Sequence, residues 1–194
     1  QITGDTLQWL TMAVGLYCVF SWGQGLACRD PVCFGLILHC KTLRYLYLFI
    51  GLQVFGNAAV SFWMVPWFQR YFGVSVTEVG TVLGLIFAGS GLTGMILGGL
   101  VADRLRQHTQ RGKLYVALGA VVLWLFAAVC MLSTEQIHVA YVFAFVNLFA
   151  STLAGAPVGS TVTDLMIPRT RAIAIALFLM IGYVIGAALG PYVI

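Results

Sequence analysis

Six long apolar runs constrain this chain more than any other feature of its sequence. They cover residues 8–27, 44–67, 79–102, 114–133, 139–163 and 172–194. A helix needs roughly 20 mainly apolar residues to cross the hydrocarbon core of a bilayer, and each run has about that length. Only 8% of the residues are charged, whereas a soluble domain averages about 25%. The sequence therefore predicts an all-α fold, a polytopic membrane bundle of about six transmembrane helices.

The basic residues are distributed unevenly between the two sides of these predicted spans. Arg70 lies on one side. The other nine of the ten Lys and Arg residues lie on the opposite side: Arg29, Lys41, Arg44, Arg104, Arg106, Arg111, Lys113, Arg169 and Arg171. Basic loops are enriched on the cytoplasmic side of a membrane. We therefore expect an integral multi-pass protein of the plasma (inner) membrane with its basic loops in the cytoplasm.

The densest charge lies between the third and fourth runs, in the stretch GGLVADRLRQHTQRGK (98–113). Its basic residues fit a cytoplasmic loop, but carboxylates contribute little to orientation, so topology alone does not explain Asp103. Glycine lets a helix end approach a neighbouring helix closely. A pair of Asp103 and Arg104 beside such an end would meet charges on the neighbour and favour one of two conformations.

This stretch and two others resemble a known family. The segment GLVADR (99–104) resembles the signature loop of the major facilitator superfamily, in which a glycine and three residues precede Asp and a basic residue. The segments WMVPWFQRYFGVSVTEVGTVLG (63–84) and PRTRAIAIALFLMIGYVIGAALGP (168–191) resemble its Spinster-like branch of sphingolipid and lysolipid transporters. The resemblance implies a transporter of twelve helices that works by alternating access, with our six runs as helices 6–11. It assigns Gly99, Asp103, Arg104 and Arg106 to a loop that controls conformation.

The same resemblance divides the chain into three parts. Residues 1–27 match helix 6 of an N-terminal half, 28–43 a cytoplasmic linker, and 44–194 an incomplete C-terminal bundle of five spans. The chain begins with Gln1 and stops at GPYVI inside an apolar run. We therefore expect a fragment of a longer protein, whose N-terminal six-helix half is its partner.

Polar residues occur on one face of the second span and as a group on the fifth. Three lie on the second span at i, i+4 and i+8, so they share one face. Such residues usually face the protein interior or a water-filled cavity, and the resemblance places both spans around a central cavity. We predict that six residues line a substrate cavity; alternatively, their side chains hydrogen-bond between helices and serve packing alone. The six are Gln53, Asn57, Ser61, Asn147, Ser151 and Thr152.

Glycines at four-residue spacing predict close contacts between helices. The third and sixth spans carry the clearest examples, which the resemblance places where two transporter halves move against each other. These residues are Gly94, Gly98, Gly182, Gly186 and Gly190.

The leading prediction is a secondary active transporter, embedded in the lipid bilayer, that moves a lipid-like or small organic solute. The alternatives are a major facilitator of another branch, for drugs, sugars or organic anions, and a non-transporting membrane sensor or enzyme. We expect no enzyme activity, because no catalytic group lies in the middle of a span. Cys28, Cys33, His39 and Cys40 fit no zinc spacing, so neither a metal nor a cofactor is predicted, and nothing indicates nucleic-acid binding.

Overall fold

The chain folds into helices throughout its described residues. A computed structural model describes residues 2–29, 34–35, 40–109 and 111–187. The long helices are α1 (Ile2–Arg29), α2 (Lys41–Phe72), α3 (Val76–His108), α4 (Gly112–Ser133), α5 (Ile137–Leu165) and α6 (Arg171–Ile181). A π-helical segment, Gly182–Ala187, continues α6. The described residues contain no strand, which confirms the predicted all-α fold.

Four helices, α2 to α5, are long and apolar enough to cross a membrane by length and composition. The first predicted span, residues 8–27, lies within α1, and several of its side chains lie outside the described residues. Within the described residues, the sixth predicted span contains an apolar helix over Arg171–Val184. Half of the predicted linker, residues 30–33 and 36–39, lies outside the described residues, as do residues 188–194 with Gly190.

The helix ends follow local sequence signals. Gly73 adopts a left-handed conformation (φ 68°) after α2, and its N–H donates to the Gln69 carbonyl at 3.0 Å. Glycine suits this position after a helix, because other residues rarely adopt a positive φ. Ser75 then caps α3, because its Oγ accepts the N–H of Glu78 at 3.3 Å.

The end of α3 differs from the prediction. The charged stretch was expected to form a loop from residue 103, but α3 continues to His108. No Gly or Pro interrupts residues 100–108, and Leu, Arg and Gln are good helix formers. The turn into α4 is short because the Gly112 backbone packs against that of Leu105, where an added Cβ would lie 2.5 Å from the carbonyl carbon.

α5 is the central helix of the bundle. Its most extensive contacts are with α4 and α3, and it also packs against α2 and α6. α2 and α5 run antiparallel: Gln53 of α2 bonds to Ser151 of α5, and further along α2 the Phe68 ring stacks on Tyr141 at 4.7 Å.

The buried apolar side chains form two clusters at opposite ends of this antiparallel pair. One includes Leu46, Val158 and Phe178 from α2, α5 and α6. The other includes Met64 and Leu83 from α2 and α3. Residues 53–61 of α2 lie between the two clusters and contain its polar side chains. The fold therefore leaves a polar layer between two apolar cores.

Candidate substrate cavity

A cavity of about 570 Å³ lies at this polar layer, between α2, α5 and α6. Its size falls within the usual range for small-molecule sites, roughly 300–1,000 Å³. Apolar side chains form most of its wall, among them Ile50, Met95 and Phe178. Its polar residues include Gln53, Asn57, Ser151, Thr152 and Ser160. The structure thus brings four of the six predicted cavity residues together, and Ser160 joins them.

Gln53 connects the two polar helices. Its Nε2 donates to the Ser151 carbonyl at 2.9 Å. A carbonyl can only accept, so the amide orientation is fixed by chemistry and Oε1 points the other way. That oxygen is buried and has no hydrogen-bond partner among the described residues. Gln53 therefore uses its donor for structure and keeps an acceptor free.

Asn57 and Ser61 continue the polar face of α2 beyond Gln53. The Oδ1 of Asn57 and the Oγ of Ser61 are likewise buried and unpartnered within the described part of the chain. Asn57 lines the cavity, whereas Ser61 does not belong to its wall. A buried polar atom without a partner costs roughly 1–3 kcal/mol, so each of these atoms carries a cost of that size in the structure described.

Thr152 joins the cavity wall to α3. Its Oγ1 lies 3.1 Å from the Ser90 carbonyl of α3 and 3.0 Å from the Phe149 carbonyl of its own helix. Gly94 of α3 packs directly against Thr152, and a Cβ there would also lie 2.7 Å from the Phe149 carbonyl. The glycine therefore permits the approach of α3 on which the hydrogen bond to Ser90 depends.

Asn147 lies elsewhere, which corrects the prediction that it lines the cavity. It is fully buried, and its Nδ2 donates to the Trp124 carbonyl of α4 at 3.0 Å. The Trp124 ring packs against Gly56 on α2. The geometry is that of an interhelical hydrogen bond, the alternative that the sequence left open for the amides. Asn147 turns toward α4 because the backbone of that helix lies against this part of α5.

The predicted glycine faces are covered by helices of this same chain. On α3, Gly98 packs against the Leu153 backbone of α5, where a Cβ would lie 2.5 Å from the carbonyl oxygen. In the π-helical segment, a Cβ on Gly186 would lie 2.6 Å from Val54 of α2, and Gly182 packs beside it. At these four described glycines the neighbouring helix is α5 or α2 of this same chain, which fills the space against them.

Pro157 explains why α3 can approach α5 so closely near Gly98. Proline has no N–H, so the Leu153 carbonyl loses its usual partner four residues later. The Gly98 backbone lies against that carbonyl. The hydroxyls of Ser160 and Thr161 both donate to the Pro157 carbonyl, at 3.0 and 2.7 Å. The proline turn of α5 is therefore held by side chains next to the cavity.

The charged end of α3 makes its ion-pair contact through Arg106. Arg106 lies 3.4 Å from the carboxylate of Asp164 on α5, and Lys113 of α4 lies 2.7 Å from the same oxygen. Asp103 and Arg104 are exposed. Gly99 has no described atom within 4 Å of an added Cβ, so the glycine in contact is its neighbour Gly98. The three charges join the ends of α3, α4 and α5.

Lys113 and Asp164 are functional candidates that the sequence reasoning missed. Lys113 is buried, with 9% of its side chain exposed, whereas 40% of Asp164 is exposed. A usable signal was present, because Asp164 ends the fifth span on the same predicted side as both basic residues. A carboxylate among so many basic residues is expected to form an ion pair with one of them.

The fold is that of a helical membrane protein with a partly polar cavity inside its bundle, whose described lining residues carry no charge. The profile of the Major Facilitator Superfamily matches residues 7–191. The chain belongs to this superfamily, and it is an integral multi-pass membrane protein with the superfamily's fold.

Three known proteins or structures are similar to the chain. An "MFS-type efflux pump" of Mycolicibacterium smegmatis is 30% identical over 126 residues, which are 65% of this chain and 29% of that protein. Two crystal structures show a bacterial homologue of the human lysosomal transporter Spinster, inward-facing and either occupied or unoccupied. They match with TM-scores of 0.70 and 0.71 at 23% identity, over 80% and 82% of this chain and 33% of theirs. The chain thus spans about a third of the length of these relatives.

Proposed function

We propose that the chain is part of a secondary transporter that moves a lipid-like or small organic solute by alternating access. The observation that carries this proposal is the cavity of about 570 Å³ between α2, α5 and α6. It lies between two apolar cores and combines apolar walls with a few uncharged polar groups. Such a site suits an amphiphilic solute, whose body contacts the apolar wall while its polar group meets the amides.

The relatives support the same class of function. One is named an efflux pump, and the fold resembles that of a Spinster homologue. We therefore favour the Spinster-like branch over branches for drugs, sugars or organic anions. The occupied and unoccupied states of that homologue are both inward-facing, in line with an alternating-access cycle in which a solute reaches the site from one side at a time.

We assign substrate contact to Gln53, Asn57, Ser151 and Thr152. All four lie around the cavity, and the amide oxygens of the first two are unpaired within the described residues. The facing wall comes from the N-terminal six-helix half of the same protein. Arg106, held by Asp164, fixes the end of α3, while the exposed Asp103 and Arg104 beside it are free to meet that half on the cytoplasmic side.

Uptake by reconstituted protein tests this proposal. The protein of full natural length is placed in liposomes, and uptake of a fluorescent single-chain lipid is measured. We expect Gln53→Leu and Asn57→Leu each to lower the initial rate about tenfold, because each removes a buried polar contact worth about 1–3 kcal/mol. Gln69→Leu is the matched control, since Gln69 lies on the same helix but outside the cavity.

Equal rates for wild type, Gln53→Leu and Asn57→Leu would contradict the assignment of these side chains to the substrate. Absence of uptake, together with thermal stabilisation of the protein by the lipid, would favour the alternative of a sensor that binds without transport.

A further inference from the structure

The cavity between α2, α5 and α6 has two ends, and contacts between the helices fix which residues lie at each. The Gln53 side chain of α2 donates to the Ser151 carbonyl of α5 at 2.9 Å. About two turns further along α5, Gly159 faces the Phe178 ring of α6, which lies 4.0 Å from the position of an added Cβ. Since α2 and α5 run antiparallel, Asn57 lies at the Ser151 end and Gly159 at the opposite end.

The end near Ser151, which we call the polar end, carries groups that both donate and accept hydrogen bonds. Asn57 and Ser151 line the cavity here, and an amide or a hydroxyl can act in either role. Tyr183 adds a phenol at the exposed rim of the cavity, with 67% of the residue exposed. The described residues that line the cavity include no Asp, Glu, Lys, Arg or His. This end therefore suits an uncharged polar group, such as a hydroxyl, that both donates and accepts.

The end near Gly159, which we call the apolar end, is mainly hydrophobic. Phe178 lines it and also belongs to the buried apolar cluster beside it. Ser160 lies at this end too, but its hydroxyl donates to the Pro157 carbonyl at 3.0 Å within α5. An apolar chain gains free energy when it is buried against such a wall, whereas a polar group loses its hydrogen bonds with water there.

Gly155 lies between the two ends, about one turn of α5 after Ser151. It lines the cavity, and no described atom lies within 4 Å of an added Cβ. Its backbone is helical and its φ is not positive, so the backbone accepts a larger residue. A side chain at this position would therefore occupy cavity space rather than disturb a neighbouring helix.

We infer that the cavity holds an amphiphile in one orientation, with its uncharged polar group at Asn57 and Ser151 and its single apolar chain toward Phe178. Gly155 limits the length of this chain. The inference rests on the proposed function and narrows it. A slender chain fits because the wall of α5 carries no side chain at Gly155 and Gly159. The polar group lies at the other end because its burial without hydrogen bonds would be costly.

Monoacylglycerols of increasing chain length test this orientation, because their head is uncharged and carries hydroxyls. Binding to the protein of full natural length in nanodiscs is measured by the rise in melting temperature with ligand concentration. The affinities of wild type and variant are compared for each ligand, which cancels the partition of the chain into lipid. Gly155→Leu adds an isobutyl group to the wall. Its affinity should equal that of wild type for the shortest chains and fall about tenfold or more below it for the longest, at roughly fourfold for each displaced methylene.

A smaller variant and a matched control accompany this measurement. Gly155→Ala adds a methyl group and favours the helix, so it should fold and weaken the binding of the longest chains about fourfold. Gly119→Leu places the larger side chain on α4, where no described atom lies within 4 Å of an added Cβ and no described residue lines the cavity. It should bind every chain length as wild type does.

Asn57→Leu tests the polar end with the same ligands. It removes hydrogen bonds to the head and leaves the apolar end unchanged. It should therefore weaken the binding of all monoacylglycerols by one common factor of about tenfold, whatever the chain length.

The outcomes separate this inference from the proposed function. A loss in Gly155→Leu that is equal at all chain lengths overturns the inference, and so does a loss in Asn57→Leu that grows with chain length, since it would place the chain at the polar end. Failure of every monoacylglycerol to bind to wild type overturns it as well. Lipid uptake in liposomes decides the proposed function separately: the expected pattern of binding without uptake would support the orientation and remove transport.

Discussion

The polar groups on the two sides of α5 differ in their hydrogen-bond partners. Toward α3 and α4, which we call the closed side, Asn147 donates to the Trp124 carbonyl and Asp164 pairs with Lys113. Thr152 lies at the boundary, because it lines the cavity while its Oγ1 donates to the Ser90 carbonyl of α3. Toward α2 and α6, the open side, a cavity separates the helices and the Gln53 oxygen is unpaired among the described residues. Polar groups on the closed side hold helices together. On the open side Gln53 also joins α2 to α5, and we propose that the polar groups around the cavity meet a ligand.

The packing of glycines reinforces this difference. On the closed side, Gly94 and Gly98 bring the α3 backbone against that of α5, so no side chain separates the two helices. On the open side, Gly155 of α5 lines the cavity and has no described atom within 4 Å of an added Cβ. The glycines of α3 therefore allow α3 and α5 to pack closely, whereas Gly155 on the open side leaves space that belongs to the cavity.

The largest effect is expected when the charged end of the closed side loses its carboxylate. Asp164→Ala leaves Lys113 buried without its partner at 2.7 Å. Lys113 also lies in the first turn of α4, where a positive charge meets the positive end of the helix dipole. Removal of one partner of a buried pair costs about 3–5 kcal/mol. We place Asp164→Ala near the low end of this range, because Asp164 is partly exposed.

The test is the free energy of unfolding of the full-length protein, measured by denaturant titration in micelles. Lys113→Ala should cost less than Asp164→Ala, because it leaves an Asp164 that is 40% exposed and still near Arg106. Arg106→Ala should cost about 0–1 kcal/mol, as for other exposed ion pairs. Equal costs for all three variants would show that the burial of Lys113 does not set the stability of this contact.

The second effect concerns the backbone contact of the closed side. Gly98→Ala places a Cβ 2.5 Å from the Leu153 carbonyl oxygen, which belongs to the backbone and cannot rotate away. We expect about 1–3 kcal/mol of destabilisation, the usual cost of overpacking. Gly84→Ala on the same helix is the control, because no described atom lies within 4 Å of its Cβ. It should be neutral or stabilising, and an equal loss in both variants would contradict the close contact.

The sequence predicted the positions of the helices better than it predicted which residues of α5 face each neighbouring helix. The apolar runs identified α2 to α5 because lipid accepts only long apolar helices, a constraint that acts on each segment by itself. The charged end of α3 was misplaced as a loop, since Asp103 and Arg104 indicate a membrane boundary but do not end a helix. The membrane signal and the helix end thus differ by about five residues.

The candidate site was predictable only in part, for a geometric reason. Asn147 and Ser151 are four residues apart, so their directions on α5 differ by about 40°. That angle suffices to turn Asn147 toward the Trp124 carbonyl while Ser151 lines the cavity. The glycine spacing likewise predicted close contacts, but not that Gly98 meets α5 and Gly186 meets α2. Which helix fills which face is decided by the packing of the whole bundle.

The smallest expected effect tests the boundary between the two sides most sharply. Asn147→Leu has about the shape of the native side chain and removes both the hydrogen bond to Trp124 and an Oδ1 that is buried and unpartnered among the described residues. Hydrogen bonds between membrane helices average about 0.6 kcal/mol, and removing an unpaired buried acceptor offsets that loss. The free energy of unfolding should therefore change by less than about 1 kcal/mol.

Because Asn147 belongs to the closed side, lipid uptake should stay within about twofold of wild type, whereas Gln53→Leu lowers it about tenfold. If Asn147→Leu instead reduced uptake as strongly as Gln53→Leu with unchanged stability, Asn147 would belong to the substrate path and the division of α5 into two sides would be wrong.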